Sequence, residues 1–466
     1  MVFSSAIFLL IFLPIVFVGN LLIWKKLSNT FLLFASLVFY AWGEPYLVLL
    51  LVASILVNWG CGLVLSRITG KLRNAVLFVG IVCNLGAFGY YKYAGFFVRA
   101  LNDIVGRQVL TVPDIALPIG ISFFTFQALS YIIDVYRNNT EASANPVNVA
   151  LYISFFPQLI AGPIVKYRDI NKQIETRSAS WIDVSDGFKR FIYGLGKKVL
   201  IANVLGKCVD TIYSYGIAVI DCKAAWIGAL AYTFQIYYDF SGYSDMAIGL
   251  GQMFGFKIPE NFQYPYLSRS ISEFWRRWHI SLGSWFREYV YIPLGGNRKG
   301  TIRTYINLII VFFLTGLWHG AAVSFVIWGL YHGIFVVIER LGLKKTILDK
   351  SVIISRVYTF LVVIFGWVLF RAKGIMTGVR YLTRMLLPWR YKNISITTWY
   401  YADKKTCFMM LCAVLGMGLL NALVPQKLKA LWKNSVVEAA WCICILVLCL
   451  AAMAGDTYNP FIYFQF

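Results

Sequence analysis

The chain holds only three histidines, and two of them sit in five-residue boxes that read almost alike. The boxes are Gly316-Leu317-Trp318-His319-Gly320 and, thirteen residues later, Gly329-Leu330-Tyr331-His332-Gly333. His279 lies forty residues before His319, in Phe274-Trp275-Arg276-Arg277-Trp278-His279-Ile280-Ser281-Leu282. Imidazole is the side chain best suited to take up and return a proton near neutral pH. His319 is embedded in a long apolar stretch, where an ionisable group is costly and marks a site by default. A neutral imidazole beside a hydroxyl acts as a general base, worth roughly 10²–10⁴ in rate, and burial favours the neutral form. The competing reading is a packing histidine that donates to a backbone carbonyl. For His332 the packing reading is favoured, since thirteen residues at 100° each point it well away from His319 even on an unbroken helix. Both boxes also read as GxxxG, which lets helices approach closely. His279, among aromatic and basic neighbours, is either a second site residue or an interfacial anchor.

Other polar groups fall in apolar surroundings. Tyr237-Tyr238-Asp239-Phe240-Ser241-Gly242-Tyr243-Ser244-Asp245 carries two carboxylates six residues apart. Intramembrane Asp usually faces a cavity or a partner, so the choices are a substrate or water contact and a buried Asp–Arg pair. The pair is the reading for Asp245, and both stay open for Asp239. Gln127 and Gln158 read as interhelical hydrogen bonders. The nine cysteines show no zinc spacing and read as small apolar helix residues. No metal site is expected, and there is no P-loop, HExxH or nucleophile elbow.

The elements that must position these groups are membrane helices. Hydrophobic residues make up 59% of the 466-residue chain and charged residues 14%, far too little charge for a soluble protein of this length. Runs such as Ile7–Ile23, Tyr46–Leu65 and Val352–Phe370 approach the ~20 apolar residues that cross a bilayer. The fold class is all-α and polytopic, with roughly eleven transmembrane helices by window length plus re-entrant or interfacial ones. Candidate spans lie near 3–23, 31–43, 45–65, 74–91, 117–136, 147–163, 190–214, 223–252, 303–320, 322–340, 352–370, 406–424 and 436–454. The intervals 166–187 and 371–405 read as surface loops or interfacial helices. The chain reads as one integral domain with no linker. The net charge of +22 falls in short clusters between apolar runs, including Lys25-Lys26, Arg67 to Arg73, Lys189 to Lys198, Arg298 to Arg303 and Lys344-Lys345. That is the positive-inside pattern, with anionic headgroups of the bilayer as contacts and no nucleic acid. The first apolar run has no basic residue before it and lysines after it. It reads as a retained span with its N-terminus outside, and not as a signal peptide.

Two local expectations bear on the histidines. Trp275, His279, Leu282 and Phe286 recur at helical spacing, so they are predicted to share one face of an amphipathic, interfacial helix. Glu273 is placed to pair with Arg277 at i+4. Tyr305 to Arg340 is too long for a single crossing of a ~30 Å core. A break is therefore predicted at Gly316 or Gly320, with His319 beside a pocket or tunnel.

Taken together, the Phe274-to-Leu282 block, Tyr291-Ile292-Pro293-Leu294-Gly295-Gly296-Asn297-Arg298 and Gly316-Leu317-Trp318-His319-Gly320 resemble the membrane-bound O-acyltransferase superfamily. The likeness is nearest its bacterial alginate O-acetyltransferase branch. Asp239 to Asp245, Phe123 to Arg137, Phe155 to Pro163 and the terminal Phe461-Ile462-Tyr463-Phe464-Gln465-Phe466 fit as well, and the signature core runs over about 117–340. A related branch that D-alanylates teichoic acid shares the Trp-His-Ile-Ser-Leu block. The resemblance implies a helical ring around a central tunnel. It implies His319 as the catalytic histidine and His279 at the second signature position. It suggests Trp318, Asp239, Ser241, Tyr243, Arg277, Trp278 and Gln127 as substrate-binding or tunnel-lining. It further implies a cytoplasmic thioester donor, acetyl-CoA, with no bound cofactor. The acceptor would be an extracytoplasmic polysaccharide reached through a secreted or anchored SGNH-hydrolase-like partner, and the setting a bacterial plasma membrane. Transfer of D-alanyl or another acyl group to a cell-wall polymer is the alternative within the class. Outside it stands a proton-coupled transporter or channel using the intramembrane His and Asp, for which inverted repeats with paired broken helices would be the mark.

Overall fold

The computed structural model describes residues 1–215, 217–390, 400, 402–419, 424 and 435–462. The described residues are overwhelmingly helical, with one isolated antiparallel bridge, Phe262 to Trp278. Six helices are long and apolar enough to cross a membrane: Val48–Arg67, Gly70–Val105, Thr301–His319, Val323–Thr346, Val352–Arg371 and Ser435–Gly455. Phe8–Leu22 and Ile121–Tyr136 are shorter apolar helices. The protein is therefore a multi-pass helical membrane protein. One interval that passed the hydropathy window is built otherwise. The interval 147–163 is two short buried helices, Pro146–Ser154 and Phe156–Leu159, parted at Phe155. Pro157 lacks an N–H and its ring excludes the preceding turn, so the helix stops there. Of the interval 371–405, 391–399 and 401 lie outside the described residues, as do 420–423 of the span near 406–424 and the terminal 463–466.

Backbone contacts divide the chain into two compact units, residues 1–191 with 244–259 and residues 192–243 with 260–466. In the first unit the helices Leu13–Leu22 (α1), Ser28–Ala41 (α2), Val48–Arg67 (α3), Gly70–Val105 (α4) and Ile121–Tyr136 (α5) follow in chain order, then Tyr167–Thr176 (α6). Phe12, Phe39 and Phe156 pack on one another, tilted or edge to face, with ring centroids 5.4–5.6 Å apart. Asn58 of α3 and Asn84 of α4 exchange amide hydrogen bonds of 3.0 and 2.8 Å in the buried interior, which ties two apolar helices that lack a hydrophobic driving force between them in lipid.

The second unit carries all three histidines. Helix Cys222–Met253 (α7) starts where Asp221 accepts the Ala224 N–H at 2.7 Å, an N-cap. It is apolar nearly all round and, over the residues it gives to this unit, almost wholly buried, as a core helix should be. Ile271–Arg277 (α8), Ile280–Phe286 (α9), Thr301–His319 (α10) and Val323–Ile338 (α11) follow. Trp278, Trp328 and Trp367 are buried together, with Trp278–Trp367 at 4.8 Å and Trp328–Trp367 at 5.8 Å. Such rings dominate the energetics of a core.

Candidate active site

His279 does not sit on a helix face. The predicted single helix breaks at Trp278–His279, and His279 takes the left-handed conformation (φ 47°, ψ 52°) between α8 and α9. The cause is a neighbouring strand-like segment. Gln263 N–H donates to the Arg277 carbonyl and Ile280 N–H to the Asn261 carbonyl, both at 3.0 Å, so residues 261–263 draw the chain away from helical continuation. Trp275, His279, Leu282 and Phe286 therefore do not share one stripe. A positive φ is uncommon for a residue with a Cβ, costs free energy and clusters at functional sites.

The same segment fixes the imidazole. Asn261 Oδ1 accepts from the Ser281 backbone N–H at 3.3 Å and lies 2.9 Å from Ser281 Oγ and 3.2 Å from His279 Nδ1. A backbone N–H can only donate, so this atom is the amide oxygen, and the Nδ1 facing it carries the proton. The neutral ring then presents Nε2 as its acceptor. His279 lies outside the six spans and is 2% exposed, and burial pushes its imidazole well below the ordinary value.

The start of α8 is held as firmly as its end. Ser270 caps it by accepting the Glu273 N–H at 3.0 Å. The buried Glu339 carboxylate accepts from Ile271 N at 2.5 Å and from Ser272 N and Oγ at 3.1 and 3.0 Å, placing negative charge at a helix N-terminus. Glu273 pairs with Arg277 at 2.7 Å, the i+4 spacing that the sequence indicates.

His319 is the last residue of α10, and the backbone is extended at Gly320 before α11 begins. The break lies at Gly320–Ala322, and Gly316 does a different job. A Cβ on Gly316 would fall on the Phe325 carbonyl oxygen, and one on Gly329 on the Phe312 carbonyl oxygen. The glycines let α10 and α11 meet as an antiparallel hairpin with backbones almost touching. His319 thus stands at the turn of the hairpin, buried, with ring centroids of Trp318 and Trp328 at 5.0 Å and Phe370 at 5.3 Å. Trp318 also lies 5.8 Å from His279, so one indole touches both imidazoles.

His332 requires a correction. Rotation along an unbroken helix is irrelevant once the chain folds back. His332 packs on Trp275 at 5.0 Å and on Trp328 at 5.3 Å, and Trp328 is also a neighbour of His319. It lies one indole away from His319, against Gly366.

The remaining sequence-selected residues divide sharply. Trp278 belongs to the aromatic core, against Phe262 at 5.0 Å and Trp367 at 4.8 Å. Arg277 is partly exposed and tied to Glu273. Asp239 forms a buried ion pair with Lys198 at 2.5 Å, and its other oxygen accepts the Ile462 N–H at 2.8 Å. Lys198 also donates to the Pro460 carbonyl, so this member of the Lys189-to-Lys198 cluster faces the interior and not lipid headgroups. Tyr243 packs against Phe461 with ring centroids 4.8 Å apart. Asp239 and Tyr243 thus hold Phe461 and Ile462. Ser241 is buried nearby on α7, and its hydroxyl has no hydrogen-bond partner among the described residues. Gln127 belongs to the first unit, buried on α5. Asp245 pairs with Arg190 at 2.9 Å, and Gln158 donates to the Tyr152 carbonyl at 2.6 Å. Sequence reasoning passed over Asn261, Glu339 and Trp328. Asn261 and Glu339 sit in no motif or periodic pattern, whereas Trp328, directly before the second box, carried a signal that could have been read.

No group of three or more His, Cys, Asp or Glu side chains is arranged to hold a metal ion among the described residues. A cavity at the head of α10 is lined by Arg287, Tyr291, Gly295, Arg298 and Lys299. Its loop turns at Gly295 and Gly296, both at positive φ, and Asn307 Nδ2 latches it by donating to the Gly296 carbonyl at 3.1 Å.

Residues 121–379 match the membrane-bound O-acyltransferase family. The chain is 40% identical to a protein of Pseudomonas putida named "Probable alginate O-acetylase AlgI", with both chains covered in full. It is 45% identical to the protein of the same name in Pseudomonas aeruginosa, over 86% of this chain and 76% of that one. Similarity extends to the peptidoglycan O-acetyltransferase of Helicobacter pylori, 35% identical over 83% of this chain and 80% of the relative. With the two motif histidines meeting on one indole and a family match that spans both of them, the chain belongs to the membrane-bound O-acyltransferase family.

Proposed function

We propose that this membrane O-acyltransferase moves an acetyl group from a cytoplasmic thioester, acetyl-CoA, toward the hydroxyls of an extracytoplasmic polysaccharide such as alginate, with His319 as general base. One observation carries the reading: His319 and His279, far apart in sequence, share Trp318 as a ring neighbour inside one buried aromatic cluster. The names of the relatives support acetyl as the acyl group and a polymer as the acceptor.

In the proposed step His319 takes the proton from the acceptor hydroxyl as its oxygen attacks the thioester carbonyl carbon. A C–O bond forms, the C–S bond breaks, and the departing thiolate receives the proton from His319. His279, with Nδ1–H held on Asn261, offers Nε2 as an acceptor that orients the attacking hydroxyl. The surrounding indoles and Phe370 exclude water, which would otherwise hydrolyse the thioester. Arg287, Arg298 and Lys299 line a cavity suited to the donor's phosphates. The acceptor hydroxyl of this step belongs to a secreted or anchored SGNH-hydrolase-like partner at the face of a bacterial plasma membrane. There a polysaccharide hydroxyl attacks the partner's ester carbonyl, a new C–O bond forms, the partner's C–O bond breaks, and the proton of the attacking hydroxyl returns to the partner's oxygen. Acetyl ester on the exported polysaccharide is the readout. His319→Ala, at wild-type membrane level, should yield deacetylated polymer in undiminished quantity, and full acetylation would overturn the assignment.

A further inference from the structure

The first unit holds a second basic cavity, remote in sequence from either histidine motif and unused by the transfer step. It opens where α1 ends and α2 begins, and its lining includes Lys25, Lys26, Ser28, Asn29, Glu175 and Arg177. Its volume is about 420 Å³, room for a headgroup.

Arg177 is the unusual member. Its guanidinium donates through Nε to the Phe254 carbonyl at 3.2 Å and through Nη1 to Asn29 Oδ1 and the Ile174 carbonyl at 2.5 and 3.0 Å. Nη2 reaches Ser28 Oγ at 3.0 Å, and Phe256 lies 4.3 Å beneath the guanidinium plane. Every one of these partners is neutral. Among the described residues four of the five N–H groups are used, and one on Nη2 is left. Burial pushes the group down to about 10, yet it stays charged at any physiological pH. No carboxylate lies within ion-pair distance of Arg177, Lys25 or Lys26 among the described residues. The cavity therefore gathers three cations against the single acid Glu175, and a half-buried cation without a counter-charge is costly.

The rim is apolar. Leu21 and Trp181 line the cavity, and Leu22, Trp24, Trp181 and Ile182 are each at least 73% exposed. Exposed tryptophan beside lysine just past an apolar helix is the composition of a membrane interface.

We propose that this pocket binds a phosphate-bearing amphiphile, its phosphate held by Arg177, Lys25 and Lys26 and its apolar part lying along Leu21 and Trp181. The chemistry fits an anionic phospholipid of the cytoplasmic leaflet, and the phosphates of a soluble thioester donor share its charge.

Native mass spectrometry on the full-length protein, delipidated and then offered phosphatidylglycerol, phosphatidylcholine or coenzyme A, separates these sources. Preferential retention of phosphatidylglycerol is expected. Lys25→Gln with Lys26→Gln, two exposed positions whose exchange spares the fold, should weaken it about tenfold with phosphatidylcholine unchanged. Coenzyme A displacing the lipid, with the same sensitivity to the double substitution, keeps the phosphate site and assigns it to the soluble donor. Equal retention of both lipids with no coenzyme A binding, or an unaltered preference in the double variant, overturns the proposal. Arg177→Lys, which retains the charge and loses the fork, should lower retention less than Arg177→Gln.

Discussion

The two motif histidines sit in different surroundings. His279 is fixed by polar contacts: a left-handed backbone turn, an amide oxygen on Nδ1 and a short strand-like segment that forces the break between α8 and α9. His319 sits at a helix end within an aromatic wall of Trp318, Trp328 and Phe370, where two backbones fold back in near contact. A hydrogen-bonded ring has a defined tautomer and little freedom, which suits a group that orients a substrate. His319, at the turn of the hairpin and walled by aromatic rings, is the group proposed to accept and release a proton.

The comparison can be broken by substitution. The largest effect is expected at His319→Ala, where acetyl transfer should fall by roughly 10²–10⁴ while protein level and thermal stability change little. Wild-type transfer from that variant would reverse the roles assigned to the two rings. Next is Gly329→Val. Its side chain has no space between the hairpin backbones, and a penalty of about 1–3 kcal/mol or outright misfolding should appear as a lowered unfolding temperature in detergent. An unchanged transition would mean that the hairpin is looser than its packing indicates.

Asn261→Leu removes the acceptor on Nδ1 and frees the tautomer. Transfer should drop roughly tenfold or more, as loss of a partner orienting a histidine does at metal sites. The pH profile of the rate should also shift, which a purely structural loss would not produce. The smallest effect is in stability against pH. The pKa of His279 is depressed in the folded state, so below its unfolded value of about 6.5 the unfolded chain binds a proton that the folded chain does not. The stability contribution is complete above that pH and declines as pH falls. Thermal melts of wild type and His279→Gln between pH 5 and 8, a window set around the imidazole value, should diverge at the acid end. Parallel curves would show that His279 is solvated.

Much of this was legible in the chain. Low charge and long apolar runs indicate a multi-pass helical protein, because a bilayer core leaves the backbone few other ways to satisfy its hydrogen bonds. The length of Tyr305 to Arg340 demands a break near His319, and the spacing of Glu273 and Arg277 yields their ion pair. The interval 147–163 shows the limit. Hydropathy responds to burial from water and does not distinguish burial in lipid from burial in protein.

What the sequence determined by itself is local: helix-forming runs, the turn chemistry of Gly295-Gly296, the GxxxG spacing of the hairpin, and the identity of the histidine boxes. What only the tertiary structure decided is which distant residues meet. Asn261 reaches His279, Lys198 neutralises Asp239, Glu339 receives the N-terminus of α8, and Trp318 joins His279 to His319. The physical reason is range. Periodicity and turn preference act over a few residues and leave their mark in the order of the chain. A hydrogen bond or ion pair between residues tens of positions apart depends on how whole helices pack, and nothing in the local sequence of either partner announces the other.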